Sequence, residues 1–231
     1  ELGPARAIQE QVLAARLATL EPDHPELQRA RLNLARTIAK LGSLREALAL
    51  EEEVLEVFER TRADDDPDLQ AARGNLASTL AKLGHLHRAL ALEEQVLLAR
   101  SRVLADGHPD VQTARNNLAT TLLSLGDLER ARELFERVHA HLAGSLPGAH
   151  PQLQVARTNL AYTMLALGDV HGARELFELV LQGLSRTLPE DHPDLQFARL
   201  NLALMLLELG EREAARAFQP EAVATLERPR P

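Results

Sequence analysis

Cysteine and tryptophan are both missing from this chain of 231 residues, and aromatic residues make up only 3% of it. Without cysteine there is no disulfide and no thiolate–metal site. The 45% hydrophobic content is therefore almost entirely aliphatic and alanine, enough to fill a core. Positive charge is also short: 26 bases stand against 34 acids, a net charge of −8, which argues against a nucleic-acid partner held through its phosphates. No apolar run approaches the roughly 20 residues of a membrane helix. No N-terminal stretch reads as a signal peptide, so no membrane partner and a cytoplasmic location are expected. Nowhere do apolar and polar residues alternate with period two, so strands are not expected.

What the chain has in quantity is repetition. Pro25, Pro67, Pro109, Pro151 and Pro193 lie 42 residues apart, and Gly42, Gly84, Gly126, Gly168 and Gly210 keep the same spacing. Between them recurs Asn-Leu-Ala, at Asn33, Asn75, Asn117, Asn159 and Asn201. Since 231/42 is 5.5, the chain is five and a half copies of one unit. A repeating array offers no privileged place for a reaction, so an enzyme is not expected.

Each unit reads as two helices. Proline suits the first helical position, where its missing N–H would be unpaired anyway. A His or Asp precedes it, in position to cap, and Asp68, Asp110 and Asp194 place acid in the first turn. Leu34, Ile38 and Leu41 form an apolar stripe along the first helix, and Gly42 ends it by adopting the left-handed conformation. The second helix begins near Leu44 with Ala47, Leu50 and Val54 as its stripe. The expected architecture is an all-α solenoid of antiparallel helix pairs over residues 1–218. Its repeats are 25–62, 67–104, 109–146, 151–188 and 193–218. An orphan second helix over 2–20 precedes them, because Leu2, Ala5, Ile8, Val12 and Leu13 match the second-helix columns. Pro220 should stop the last helix, leaving 219–231 as a linker or disordered tail. The chain opens in mid-repeat and without Met, so it is expected to be a segment of something longer.

The columns Arg31, Leu34-Ala35, Ile38 and Ala47, with Ala131-x3-Phe135 and Ala173-x3-Phe177, resemble the tetratricopeptide repeat family. The string from His108 to Ala119 is especially similar to the longer form found in kinesin light chains and many bacterial signalling proteins. The resemblance covers about residues 2–218. It implies a right-handed superhelix that serves protein–protein interaction and needs no cofactor. Two departures stand out. The family's large aromatic near the start of the first helix is Arg in every copy: Arg31, Arg73, Arg115, Arg157 and Arg199. The Phe of Ala-x3-Phe is Glu51 and Glu93 in the first two copies, with Leu48 and Leu90 three residues earlier; this reads as a packing stripe shifted around the helix.

Candidates for chemistry are few. His24, His108, His150 and His192 recur once per repeat and are expected to cap helices, since helices 8–10 Å apart cannot bring them to one metal. His85 with His87, and His139 with His141, point to different sides of a helix. Glu52, Glu94, Glu136 and Glu178, joined by Glu51 and Glu93, read as a solvated face or as ion pairs with arginines.

The Asn column is the strongest candidate site. Asn is a mediocre helix former in mid-helix, and its amide can both donate to and accept from an extended peptide backbone. The family resemblance implies that first helices line the concave groove and that the matching asparagines bind peptide there. A structural ladder linking successive repeats is the alternative reading of the same column. Offsets of −4, +3 and +7 share the helical side of each Asn. They make the early part of the groove basic (Arg29, Arg36, Lys40 and Lys82, the last two being the chain's only lysines). They make the later part apolar, with Val155, Tyr162, Phe197 and Leu204. The expected partner is a protein or peptide carrying an acidic segment and an apolar anchor. The competing reading is a spacer or self-association module, its unfinished ends stacking end to end, that positions a separate catalytic domain.

Overall fold

The structure is a computed structural model that describes residues 2–218, and among these all eleven regular elements are α-helices. They are α1 (Leu2–Thr19), α2 (Pro25–Lys40), α3 (Leu44–Thr61), α4 (Pro67–Lys82), α5 (Leu86–Val103), α6 (Pro109–Leu125), α7 (Leu128–Ser145), α8 (Pro151–Ala166), α9 (Val170–Ser185), α10 (Pro193–Glu208) and α11 (Arg212–Phe218). The chain forms two compact units that divide between Leu125 and Gly126. Within the first, each of α1 to α5 packs on the helix that follows it, and α2 with α4 and α4 with α6 also touch. Within the second, α7 to α11 pack in the same consecutive way. The expected stop at Pro220 and the tail 219–231 lie outside the described residues.

Helix boundaries follow the punctuation in the sequence. Every first helix begins at its proline. Nδ1 of His24, His108, His150 and His192 accepts the backbone N–H two residues on, at 3.1–3.2 Å. Asp66 does the same work with its carboxylate, accepting from Asp68 and Leu69 at 2.8 and 3.3 Å. These bonds satisfy donors that have no partner inside the helix. At the far end Gly42, Gly84, Gly126, Gly168 and Gly210 all have positive φ, between 78° and 90°. Around Gly84, its own N–H donates to Ala81 O and the His85 N–H to Leu80 O, the paired bonds of a Schellman turn. The same pair recurs at Gly42, Gly168 and Gly210.

The core is aliphatic. Leu27, Leu69, Val111, Leu153 and Leu195 are all but fully buried, each contributing about 1.5–3 kcal/mol in apolar transfer. Alanines at 35, 77, 119, 161 and 203 on the first helices, and at 47, 89, 131, 173 and 215 on the second, are buried too. One residue of the expected stripe falls elsewhere. Leu41 is 42% exposed, because it caps α2 immediately before the glycine turn; Leu27 and Ala30, nearer the N-terminus, take the buried places.

The connecting loops are tied to the helix that follows them. Nε2 of Gln28, Gln70, Gln112, Gln154 and Gln196 donates to the carbonyl six residues earlier, at Pro22, Asp64, Asp106, Gly148 and Glu190. The arginines standing where the family carries an aromatic reinforce this. Arg73 pairs with Asp64 at 2.7 Å, Arg115 with Asp106, and Arg157 donates to Gly148 O at 2.8 Å. A buried guanidinium thus anchors polar loop groups at a position where an aromatic ring would only pack.

Replacing Gly84 by Ala should cost about 1 kcal/mol, since an L side chain at φ +83° is strained. Replacing Gly74, which lies inside α4 with open space at its Cβ, by Ala should instead stabilise by about 0.5–1 kcal/mol. Urea denaturation followed by circular dichroism reads both shifts, and equal signs for the two would contradict this assignment.

Candidate functional site

Two cavities in the first unit are lined by first-helix residues: the Asn column and the column four before it reach both, and the column three after it reaches only the second. One, of about 330 Å³, lies between α1 and α2, and its lining includes Gln9, Arg16, Arg29 and Asn33. The other, of about 290 Å³, lies between α4 and α6 over α5, with Ala71, Asn75 and Ser78 on one wall, Thr113 and Asn117 on the other, and Glu93 among the α5 residues. Asn75 is exposed, while Asn33, Asn117 and Asn159 are half-buried. Asn201 differs from these: it is buried, and its Oδ1 accepts the Tyr162 hydroxyl at 2.9 Å. That amide links two neighbouring first helices.

The charged columns have partners of their own. Arg29 pairs with Glu26, and Arg36 donates to Asn33 Oδ1 at 3.2 Å. Lys40 and Lys82 are exposed at the ends of α2 and α4. In the second unit Val155 and Phe197 are 56% and 55% exposed. Tyr162 is half-buried, its ring edge-on to Phe177 with centroids 5.3 Å apart.

Glu51 and Glu93 depart from the sequence reading. Neither a shifted stripe nor a solvated acidic face describes them: they are 3% and 6% exposed and occupy the burial position that Phe135 and Phe177 hold in the later repeats. The stripe has not rotated. A carboxyl has replaced a ring at the same depth, bonded to a Thr on the next first helix, Thr79 for Glu51 and Thr121 for Glu93. In both cases the other oxygen, Oε2, has no hydrogen-bond partner. Burial pushes both carboxyls above the usual range, opposed by the Thr bond and, at Glu51, by the nearby charge of Lys82. Glu at the Phe position, with Thr79 and Thr121 four residues after Asn75 and Asn117 on the first helix that follows, was the available signal. By contrast Glu52 bonds Arg88 at 2.8 Å, Glu178 bonds Arg174 at 2.8 Å, and Glu136 faces Arg132 at 3.7 Å, all on an open surface.

Among the histidines, His139 is half-buried, and desolvation with Arg157 nearby holds it below its ordinary pKa. Among the described residues no three His, Asp or Glu side chains are arranged to hold a metal ion. No helix among them is long and apolar enough to cross a membrane.

An array of capped helix pairs, each presenting one Asn column, is the architecture of a helical repeat protein. Family models described as tetratricopeptide repeat match residues 68–143 in one case and 27–68, 154–194 and 198–228 in another. The chain belongs to the tetratricopeptide repeat family. Among solved structures it is similar to a Podosopora anserina kinesin-light-chain-type protein of nearly identical TPR-like repeats. That likeness has 29% identity and a TM-score of 0.77, covering 90% of this chain and 97% of that one. It shares its fold with BtubC (BKLC) from P. vanneervenii, at 21% identity and a TM-score of 0.76, over 100% of this chain and 94% of that one. It shares it also with YrrB, a TPR protein with an unusual peptide-binding site, at 17% identity and a TM-score of 0.56, over 85% and 89%. No curated protein sequence matches it.

The buried carboxyls set a pH dependence. Their folded pKa lies above the unfolded value near 4.5, so the folded chain holds protons that the unfolded chain releases. Stability therefore falls as pH rises from about 4.5 through the raised folded value. The Glu93→Gln variant lacks this titration. The stability difference, variant minus wild type, should be larger at neutral pH than near pH 4.5 in urea titrations, and likewise for Glu51→Gln. A pH-independent difference would contradict the burial. His139 titrates in the opposite sense and cancels in the comparison.

Proposed function

We propose that this chain is a protein-interaction scaffold that binds extended peptide segments on its first-helix face, as part of a larger protein. The observation that carries the reading is the cavity between α4 and α6. Asn75 and Asn117 stand on opposite walls of it, so that two amides face the same open space. An amide offers donor and acceptor together, which suits a peptide main chain of any sequence. Proteins of the same fold support the reading, YrrB having been solved with a peptide-binding site.

Side chains around the amides set the preference. In the first unit the exposed Lys40 and Lys82, with Arg36 beside Asn33, favour acidic residues. In the second the exposed Val155 and Phe197 favour apolar ones, and Tyr162 adds its half-buried ring. Within the second unit Asn159 lies on the first-helix side with them, while Asn201 serves it by holding Tyr162 in place. A labelled hexaglutamate peptide should bind the wild type. It should bind the triple variant Arg36→Glu, Lys40→Glu, Lys82→Glu at least about tenfold more weakly, with an unchanged helical signal. Equal affinity for the two would remove the basic column from the site.

A second reading, self-association or a spacer role, has its own observation. α1 has no buried residue, and Leu2, Ile8, Val12 and Leu17 are all strongly exposed along it. At Val12 the exposure is 41%, whereas Val54 in the matching column is fully covered. If α1 pairs with another copy, light scattering should show a mass that rises with concentration, and Ile8→Glu with Leu17→Glu should return it to the monomer. A constant monomer mass in the wild type would exclude this contact.

A further inference from the structure

Three positions on the wall of the cavity between α4 and α6 carry unusually small residues. Ala71 stands where other repeats have Arg29, Thr113, Val155 and Phe197. Ser78 stands where they have Arg36, Thr120, Tyr162 and Leu204. Gly74 stands in the column of Leu32, Asn116, Thr158 and Leu200, and a Cβ built on it would meet nothing within 4 Å. The space so opened reaches Glu93, whose Oε2 is buried without a partner. The matching place between α8 and α10 is filled instead: Phe177 replaces Glu93, and Tyr162 replaces Ser78, with its ring against Phe177 and its hydroxyl on Asn201.

Glu93 also lacks a neighbour that the matching carboxyl of the first repeat has. Its counterpart Glu51 sits one repeat earlier under the influence of Lys82, which lies 31 residues further along the chain. The residue 31 positions after Glu93 is Ser124, and its hydroxyl donates to Thr120 O at 2.9 Å. Among the groups acting on the Glu93 carboxyl there is burial and the Thr121 hydroxyl, but no cation. Arg100, which also lines the cavity, is seven residues away on α5, roughly 10 Å along the axis, and donates to Asp110 O at 3.0 Å. A buried carboxylate without a counter-charge is costly, and a cation brought to it is held strongly in so sheltered a place.

We propose that this cavity is a side-chain pocket for one basic residue, Lys or Arg, of a bound peptide, with Glu93 as the ion-pairing acceptor and the Asn75 and Asn117 amide oxygens as further acceptors. The inference rests on the peptide-binding reading above and narrows it: the segment on the first unit carries acids toward Lys40 and Lys82 and one base at Glu93. Mixed charge in a fixed order is a more selective requirement than a simple acidic tract.

The test is a solution NMR titration of the isotope-labelled full chain with N-acetyl-lysine N-methylamide. The norleucine analogue is the uncharged control. The lysine probe should move the signals of Gly74, Asn75 and Asn117, and the norleucine probe should leave them in place. Glu93→Gln should weaken the lysine probe at least about tenfold. Ser124→Lys, which supplies the missing cation from within the chain, should do the same, while Glu51→Gln should change nothing. Equal shifts with norleucine, no shifts at these residues, or undiminished binding to Glu93→Gln would each overturn the pocket. Hexaglutamate titrated in parallel reads the Lys40 and Lys82 signals. Loss of that response alone would count against the acidic-segment reading and leave the Glu93 pocket standing.

Discussion

The closeness of first and second helices, set by alanine, is what the rest of the molecule depends on. Ala35 shares one core cluster with Ala47, and Ala77 shares another with Ala89. With a methyl on each side the backbones approach closely, and a larger residue at either place would overpack the interface at a cost of about 1–3 kcal/mol. Once that contact is made, every other column has its place. The residue two before the first alanine, the Asn, lies on the first-helix face; the residue four after the second lies beneath the neighbouring first helix. The site is thus a by-product of a packing rule that uses the smallest side chain able to form a core.

The position four residues after the second-helix alanine then decides what each interval between repeats becomes. Phe177 makes it a hydrophobic floor on which Tyr162 closes, drawing Asn201 inward. Glu51 makes it polar, balanced in part by Lys82. Glu93 makes it polar and open. The backbone pattern is the same in all three cases, and two or three side chains convert a sealed seam into a receptive one. This is how a repetitive fold acquires a site at one address without losing its regularity.

Most of the scaffold was legible in the sequence because its signals are local. A proline at the first helical position, a His or Asp before it and a glycine after the last turn each act on their own neighbourhood, and the 42-residue spacing repeats them. The helix α1 was legible by the same columns. The buried carboxyls were not, since Glu51 and Glu93 look like surface residues beside Glu52 and Glu94, and their depth is decided by α4 and α6. The Arg that replaces the family's aromatic was visible as a departure, yet its reason lay in Asp64, Asp106 and the Gly148 carbonyl, nine residues upstream. Asn201 looked like its four counterparts until Tyr162, 39 residues away, was placed against it. Pairings across helices are invisible to a reading by period alone.

The glutamine that grips the loop before its own helix has a bearing on how such arrays grow. Because Gln70 and Arg73 hold Asp64, the connector belongs physically to the repeat that follows it rather than the one it leaves. The natural joint therefore lies at the end of a second helix, where Arg62 and Leu104 take up extended backbone. A duplication or exchange cut there would carry each connector along with the side chains that secure it. Recombination at that seam would shuffle whole modules, each arriving with its own latch.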